Sequence, residues 1–112
     1  MRQPDDQARL LDMVIASGHA IDLASSTTYD EMLDDLKLQL ALVKLLEIIG
    51  EAAVHVTQNS REAIDIPWRR IIGMRHRLVH SYAQVDYETV WAVVQTDLPQ
   101  LIDAVRPHLR QP

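Results

Sequence analysis

The chain has 112 residues, of which 47% are hydrophobic, a net charge of −5 and no cysteine. This length fits one ordinary domain with its own core, and the lack of cysteine excludes disulfides, thiolate metal sites and a cysteine nucleophile. The negative charge argues against a surface coated with positive charge for general nucleic-acid binding. No apolar stretch is long enough for a signal sequence or a membrane span, so we expect one cytoplasmic domain over residues 1–112 and no membrane.

The spacing of the apolar residues predicts four helices, and the first two occupy residues 5–25 and 29–58. Thr28 and Glu31 have the form of a capping box, which marks the start of helix two. Helix two is predicted as one uninterrupted run because it contains no proline. Its apolar surface is too wide for one bundle to cover, so we expect a partner subunit to bury part of it.

The rest of the sequence predicts a close helix contact at Gly50 and two more helices. Gly50 in helix two predicts the close approach of another helix, and residues 59–66 are predicted as a polar connection. Pro67 is expected at the first position of helix three, and Asp86 is expected to cap helix four. Pro99 should kink or re-nucleate that last helix. The predicted fold class is therefore all-α, an antiparallel four-helix bundle with a kinked last helix.

Positive charge is concentrated in one segment of this acidic chain. Residues 61–80 contain five arginines and two histidines against two acids. Within this segment, and two residues beyond it, Arg, His and Tyr side chains converge over residues 73–82. The segment is therefore suited to a local anionic ligand.

Arg75 and His80 are the candidate catalytic pair. Five residues at about 100° each place them roughly 140° apart on a continuous helix, so they share a site only if the helix bends or ends near His80 or a second subunit contributes. Histidine exchanges protons near neutral pH, and a guanidinium stabilises charge that builds up on phosphate oxygens. This is the chemistry needed to cleave RNA without a metal or a cofactor. An ordinary surface Arg and a hydrogen-bonded His are the alternative that the residues alone leave open.

A longer pattern surrounds this pair. Arg75-x4-His80-x-Tyr82 is preceded by characteristic runs at residues 46–52 and 66–74 and followed by others at residues 85–91 and 97–101. In this order they resemble the HepT-like family of HEPN domains over almost the whole chain. The resemblance implies a HEPN-like helical homodimer that acts as a ribonuclease toxin on RNA such as tRNA or mRNA. It also implies that Arg75 and His80 of both protomers line a shared cleft, without a metal.

The resemblance implies a second partner as well. The cognate antitoxin of this family is a minimal nucleotidyltransferase, which transfers AMP to the motif tyrosine, and Tyr82 occupies that position here. Added phosphate would place negative charge and bulk where the RNA phosphate lies. His76 stands where relatives often have Asn or Asp, and Ala83 stands where they have an aromatic residue. These departures leave Arg75 and His80 in place.

Other residues are candidates for lesser roles. His76 and Glu51 are interpreted as supporting residues, although an ordinary helical glutamate is an equal alternative for Glu51. Arg69, Arg70 and Arg77 are candidate contacts to the RNA backbone, with a solvated rim as the alternative.

Two further interpretations concern metals and aromatic residues. His76 and His80 have the i, i+4 spacing of helical zinc sites, but the sequence offers no obvious third ligand, so we expect no metal site. Trp68 and Trp91 lie on apolar stripes and are assigned to the core rather than to base stacking. The alternative function is a non-catalytic HEPN module that binds a nucleotide or only its nucleotidyltransferase partner.

Overall fold

The computed structural model describes residues 5–78, apart from the side chain of Arg75, and residues 84–110. Within these ranges the chain is helical and contains no β-strand, which confirms the all-α class. The helices are α1 (Asp6–Ser25), α2 (Tyr29–Leu33), α3 (Leu36–Val54), α4 (Gln58–Ala63), α5 (Trp68–Ile72), α6 (Met74–Leu78), α7 (Tyr87–Ala92) and α8 (Leu98–Val105). A π-helical segment (Val93–Asp97) joins the last two helices, and a 3-10 turn (Arg106–His108) follows them.

The long helices run antiparallel, as predicted. α1 packs against both α3 and α8, while α5 and α6 pack against α3. The Nε2 of Gln7 donates to the carbonyl of His108 at 2.9 Å, and Asp6 accepts from the backbone N–H of Thr57 at 3.0 Å. The start of α1 therefore lies beside the ends of α3 and α8.

The core is built from aliphatic and Met side chains, because the chain has no Phe. The largest side chains that are fully buried include Leu10, Met13, Met32, Leu42, Leu46, Ile49, Leu98 and Leu101. They come from α1, α2, α3 and α8 together. The four arms of the bundle are thus α1, α3, α5 with α6, and α7 with α8, and the short helices α2 and α4 lie in the connections.

The predicted caps of helices two and four are confirmed. The hydroxyl of Thr28 accepts from the backbone N–H of Glu31 at 3.2 Å and donates to the carboxylate of Glu31 at 3.0 Å. Asp86 accepts from the backbone N–H of Thr89 at 3.1 Å. Both caps need only residues three apart in the chain, which is why the sequence pattern is sufficient to predict them.

The prediction of one continuous helix two is wrong, because the chain breaks between α2 and α3. The carboxylate of Asp35 accepts from the backbone N–H of Leu38 at 3.1 Å and starts a new helix. The side-chain Nε2 of Gln39 donates to the carbonyls of Met32 and Leu33 at 3.0 and 2.9 Å. Side chains therefore satisfy the backbone groups that the break exposes, so the break costs little.

The predicted connection over residues 59–66 also differs, since it contains most of α4. The side chain of Thr57 caps this helix. The Nη2 of Arg61 donates to the carbonyls of Ala53 and Val54 at 3.2 and 2.9 Å, which satisfies the end of α3. α4 is therefore held against the helix that precedes it.

Helix three is divided at Gly73 into α5 and α6, and it begins at Trp68, one residue later than predicted, because Pro67 occupies the capping position. The backbone N–H of Gly73 donates to Arg69 at 3.0 Å, and that of Arg77 donates to Gly73 at 3.2 Å. Both bonds keep the i to i−4 pattern of an α-helix, so the interruption is local.

At Pro99, where a kink or a re-nucleation is predicted, the structure has a widened π-helical turn before the start of α8. The backbone N–H of Leu98 bonds to the carbonyl of Val93, five residues earlier, and Pro99 is the second residue of α8. A proline has no N–H to continue the regular ladder, so the turn before it is free to widen.

The start of α1 is clamped to α4 through one carboxylate. Asp6 accepts from the backbone N–H of Thr57 and from the hydroxyls of Thr57 and Ser60, the last at 2.6 Å. Burial alone raises the pKa of Asp6, but the hydrogen bonds from Ser60 and Thr57 outweigh it and hold the pKa below its ordinary value. The clamp therefore stabilises the fold above the ordinary carboxyl pKa and is lost as the pH falls through the lowered one.

The close approach predicted at Gly50 is confirmed and can be tested by substitution. A Cβ at Gly50 would lie 3.2 Å from the carbonyl oxygen of Ile71 and 3.7 Å from that of Ile72, whereas a Cβ at Gly18 would meet nothing within 4 Å. Gly50→Val should lower the free energy of unfolding by about 2 kcal/mol through overpacking. Gly18→Ala should raise it by about 0.5–1 kcal/mol through helix propensity. Denaturant unfolding at one protein concentration measures both, and equal effects would contradict the assignment.

Candidate functional site

The candidate site is centred on α6, which two buried side chains anchor. Met74 and Leu78 are each 2% exposed, while His76 and Arg77 are exposed to solvent. Arg75 belongs to α6 by its backbone. Positions 75 and 77 lie about 160° apart around a regular helix, so they fall on opposite flanks of α6.

The remaining motif residues, His80 and Tyr82, lie outside the described residues. The chain on either side of them is described. The backbone N–H of Asp86 donates to the carbonyl of Leu78 at 3.0 Å, so the start of α7 lies against the end of α6. The predicted pairing of Arg75 with His80 stays a prediction.

Asp86 lies at this junction between the end of α6 and the start of α7. The hydroxyl of Thr89 donates to its carboxylate at 2.7 Å, beside the bond from the backbone N–H of Thr89. These bonds, the hydroxyl first, lower the pKa of Asp86 below its ordinary value. Its charge is therefore fixed at neutral pH, close to the segment that carries the motif.

The three arginines predicted to contact RNA differ in their partners. Arg70 Nη2 lies 2.9 Å from a carboxylate oxygen of Asp97, so that aspartate offsets part of its charge. Arg77 Nη2 donates to the backbone carbonyl of Arg70 at 2.7 Å, which leaves its other N–H groups available. Arg69 is exposed and makes no hydrogen bond or ion pair with any described residue. Arg69 and Arg77 are therefore the arginines best placed to bind an anion.

An open cleft of about 740 Å³ lies along α5 and α6. Its lining is mainly apolar, and we call it the α5 cleft. Seven residues line it: we call Pro67, Trp68 and Gly73 its floor, and Arg69, Arg70, His76 and Arg77 its rim. A second cleft of about 620 Å³ adjoins it and shares Trp68, Arg69 and Gly73.

Trp68, which the sequence pattern assigns to the core rather than to base stacking, has a partly exposed surface. It packs against the core, as predicted, and its indole Nε1 donates to the carbonyl of Ile64 at 2.9 Å. The guanidinium carbon of Arg61 lies 5.9 Å from the ring centre. Yet Trp68 is only partly buried, and part of its surface lines the α5 cleft. The signal was the position of Trp68 directly before Arg69 and Arg70.

Trp91 has a simpler environment. Its ring packs against Tyr29 with the ring centres 6.2 Å apart, and it lies against the core as predicted. No cleft along α5 includes Trp91. It is therefore a useful reference for Trp68.

Glu51 lies exposed on α3, the helix against which α6 packs. One of its carboxylate oxygens is 3.3 Å from Nε2 of His55, one turn later on α3. Its predicted support of Arg75 stays a prediction. His19 and His108, like His55, are exposed.

Two kinds of feature are absent from the described parts of the chain, residues 5–78 and 84–110. No helix in them is long and apolar enough to cross a membrane. No three His, Asp or Glu side chains in them come together in a group that could hold a metal ion.

Comparison with known proteins places this chain in a family. The profile described as "Ribonuclease HepT-like" matches residues 16–107. The "Probable ribonuclease HepT" of Thermococcus cleftensis is 38% identical over 87 residues, which cover 73% of this chain and 79% of that protein. "Putative RNase MJ1380" of Methanocaldococcus jannaschii is 30% identical over 102 residues, covering 90% of this chain and 94% of that protein. No solved structure matches significantly. On the family profile and these relatives, the chain belongs to the Ribonuclease HepT-like family.

Proposed function

We propose that the protein is a metal-independent endoribonuclease, the toxin of a toxin–antitoxin pair, with Arg75 and His80 as its catalytic residues. The observation that carries the proposal is the motif Arg75-x4-His80-x-Tyr82, which lies within the 16–107 family match and begins on α6. The names of the relatives support a ribonuclease. The cluster of arginines on α5 and α6 supports an anionic substrate.

The proposed reaction uses the RNA's own 2′-hydroxyl as the nucleophile. A histidine takes the proton from this hydroxyl, and its oxygen forms a bond to the adjacent phosphorus. The bond from phosphorus to the 5′-oxygen breaks, and a second group returns a proton to that oxygen. The products are a 2′,3′-cyclic phosphate and a 5′-hydroxyl. The guanidinium of Arg75 stabilises the negative charge on the phosphorus oxygens in the transition state.

The proposed active form is a homodimer in which both protomers supply Arg75 and His80. Only some of the apolar side chains of α3 are buried within the protomer. Leu38, Leu42 and Leu46 lie in its core. Exposed large apolar side chains remain on α3, and they are Leu36, Leu40, Ile48 and Val54, between 37% and 56% exposed. They support an interface that includes α3 and the end of α6.

The dimer gives a direct prediction. Light scattering on the purified chain should show two subunits at micromolar concentration. Leu40→Glu on α3 should give a monomer, because a charge would be buried at the interface. Leu23→Glu on α1, where Leu23 is similarly exposed at 43% against 47%, should leave the dimer intact. A stable wild-type monomer would contradict a shared active site.

The proposed function is tested with purified protein and with cells. Single-stranded RNA should be cleaved in the presence of EDTA and should carry cyclic phosphate ends. Expression of the chain alone should stop growth and degrade cellular RNA, and co-expression with the proposed nucleotidyltransferase antitoxin should prevent both. Intact RNA, together with tight binding of that partner, would instead indicate a non-catalytic HEPN module.

A further inference from the structure

The α5 cleft combines an apolar floor with a cationic rim. Pro67, Trp68 and Gly73 form part of the floor, and Arg69 and Arg77 stand at the rim. A volume of about 740 Å³ falls in the range of small-molecule sites, roughly 300–1,000 Å³. The cleft is therefore suited to a ligand that combines an apolar part with a negative charge.

The rim of the cleft is positively charged, although the chain as a whole is acidic. The protein carries a net charge of −5, yet the rim contains three arginines. Arg70 is the only one of them in an ion pair among the described residues, with Asp97. Arg69 has no partner there, and Arg77 is tied by a single Nη2 to the carbonyl of Arg70. A rim in which two of the three arginines have no ion-pair partner among the described residues favours an anionic ligand.

We infer that the α5 cleft binds one unpaired nucleotide of the RNA, next to the position of cleavage. The base packs on the exposed part of Trp68, and the phosphate lies between Arg69 and Arg77. The inference rests on the proposed ribonuclease function for its choice of RNA as ligand. A base must be unpaired to reach an indole in this way, so the substrate is single-stranded here.

The position of the cleft explains how it would serve the reaction. Arg77 at its rim and Arg75 of the catalytic pair belong to the same helix, α6, on opposite flanks, with His76 between them. An RNA strand that crosses α6 beside His76 would connect the cleft with the catalytic pair. The α5 cleft therefore holds a neighbouring nucleotide and fixes the register of the strand, rather than performing chemistry.

Binding is measured with a protein that does not cleave RNA and has one tryptophan. The chain has two tryptophans, so His80→Ala combined with Trp91→Phe leaves Trp68 as the only indole. A mixed-sequence single-stranded RNA should quench its fluorescence on titration. An abasic oligonucleotide of the same length, which keeps the phosphates, should bind about tenfold more weakly and leave the fluorescence unchanged. Circular dichroism verifies the fold of each variant.

The rim is tested by substitution of its arginines. Arg69→Ala and Arg77→Ala should each weaken RNA binding about three- to tenfold and reduce its salt dependence, while Arg69→Lys should retain most of the affinity. In the cleaving protein these changes should raise KM and leave kcat nearly unchanged, because they remove binding shared by the ground state and the transition state. Arg106→Ala, an exposed arginine beyond α8, is the matched control and should change neither.

The results of these experiments distinguish a failure of the inference about the α5 cleft from a failure of the proposed ribonuclease function. Cleavage by the wild type without quenching of Trp68, and with unaltered KM in Arg69→Ala, would overturn the inference and leave the function intact. Quenching of Trp68 by RNA that the wild type never cleaves would support the cleft and overturn the function. Loss of partner binding but not RNA binding in Arg69→Ala would identify the cleft as a protein docking surface and overturn the inference.

Discussion

Replacement of His80 by alanine is expected to abolish RNA cleavage, with a fall in kcat/KM of about 10³-fold or more, because general acid–base catalysis contributes about 10²–10⁴-fold. Arg75→Ala should lower kcat/KM by about 10²–10³-fold, since it removes a fixed charge from the transition state. Arg75→Lys should restore only part of the activity, because an ammonium cannot contact two phosphate oxygens as a planar guanidinium does.

His80→Ala and Arg75→Ala are measured on a short single-stranded RNA with EDTA present, next to His19→Ala. His19 is an exposed histidine on α1 and should be dispensable, so it controls for the loss of any imidazole. The same variants should lose their toxicity in cells. Full cleavage by His80→Ala, with an unchanged circular dichroism spectrum, would show that the motif has been misread.

The second large effect concerns control by the proposed antitoxin. Incubation with the nucleotidyltransferase, ATP and magnesium should add roughly 329 Da per AMP to the peptide that contains Tyr82 and should suppress cleavage. The attached phosphodiester brings negative charge close to the proposed Arg75 and His80 site, where it competes with the RNA phosphate. Tyr82→Phe should keep its ribonuclease activity and remain toxic when the antitoxin is present.

Tyr87→Phe is the matched control for this experiment. Tyr87 lies five residues further along the chain, at the start of α7, and its replacement should leave both the modification and the inhibition unchanged. If the antitoxin silences Tyr82→Phe as fully as the wild type, inhibition comes from binding alone. The proposed AMP transfer would then be wrong, whereas the ribonuclease function would stand.

The parts of the fold that depend on neighbouring residues could be predicted from the sequence. The caps at Thr28 and Asp86 need only a polar side chain three residues before a backbone N–H, and the widened turn before Pro99 needs only a missing donor. The break between α2 and α3 was missed because it contains neither Gly nor Pro. Asp35 gives α3 a cap of the same local kind, and the break also needs Gln39, whose side chain reaches back to the carbonyls of Met32 and Leu33.

In the candidate site, too, the sequence predicts what depends on residue type and misses what depends on long-range contacts. Arg69, Arg70 and Arg77 could be selected from charge alone, but the sequence could not separate them. Arg70 is paired with Asp97, 27 residues away, and such a contact exists only in the folded chain. Trp68 lies on an apolar stripe, and periodicity assigns a residue to a face without giving the fraction of the side chain that stays exposed.

The clamp at Asp6 has a consequence for the boundaries of the domain. The family profile begins at residue 16, but Leu10 and Met13, at 2% and 0% exposure, are already part of the core. Asp6 fixes the start of α4, and α4 carries Arg61, which lies over Trp68. The region that the family profile matches is thus shorter than the region that must fold together. A fragment cut to residues 16–107 would lose the contact between Asp6 and α4 while keeping every residue of the motif.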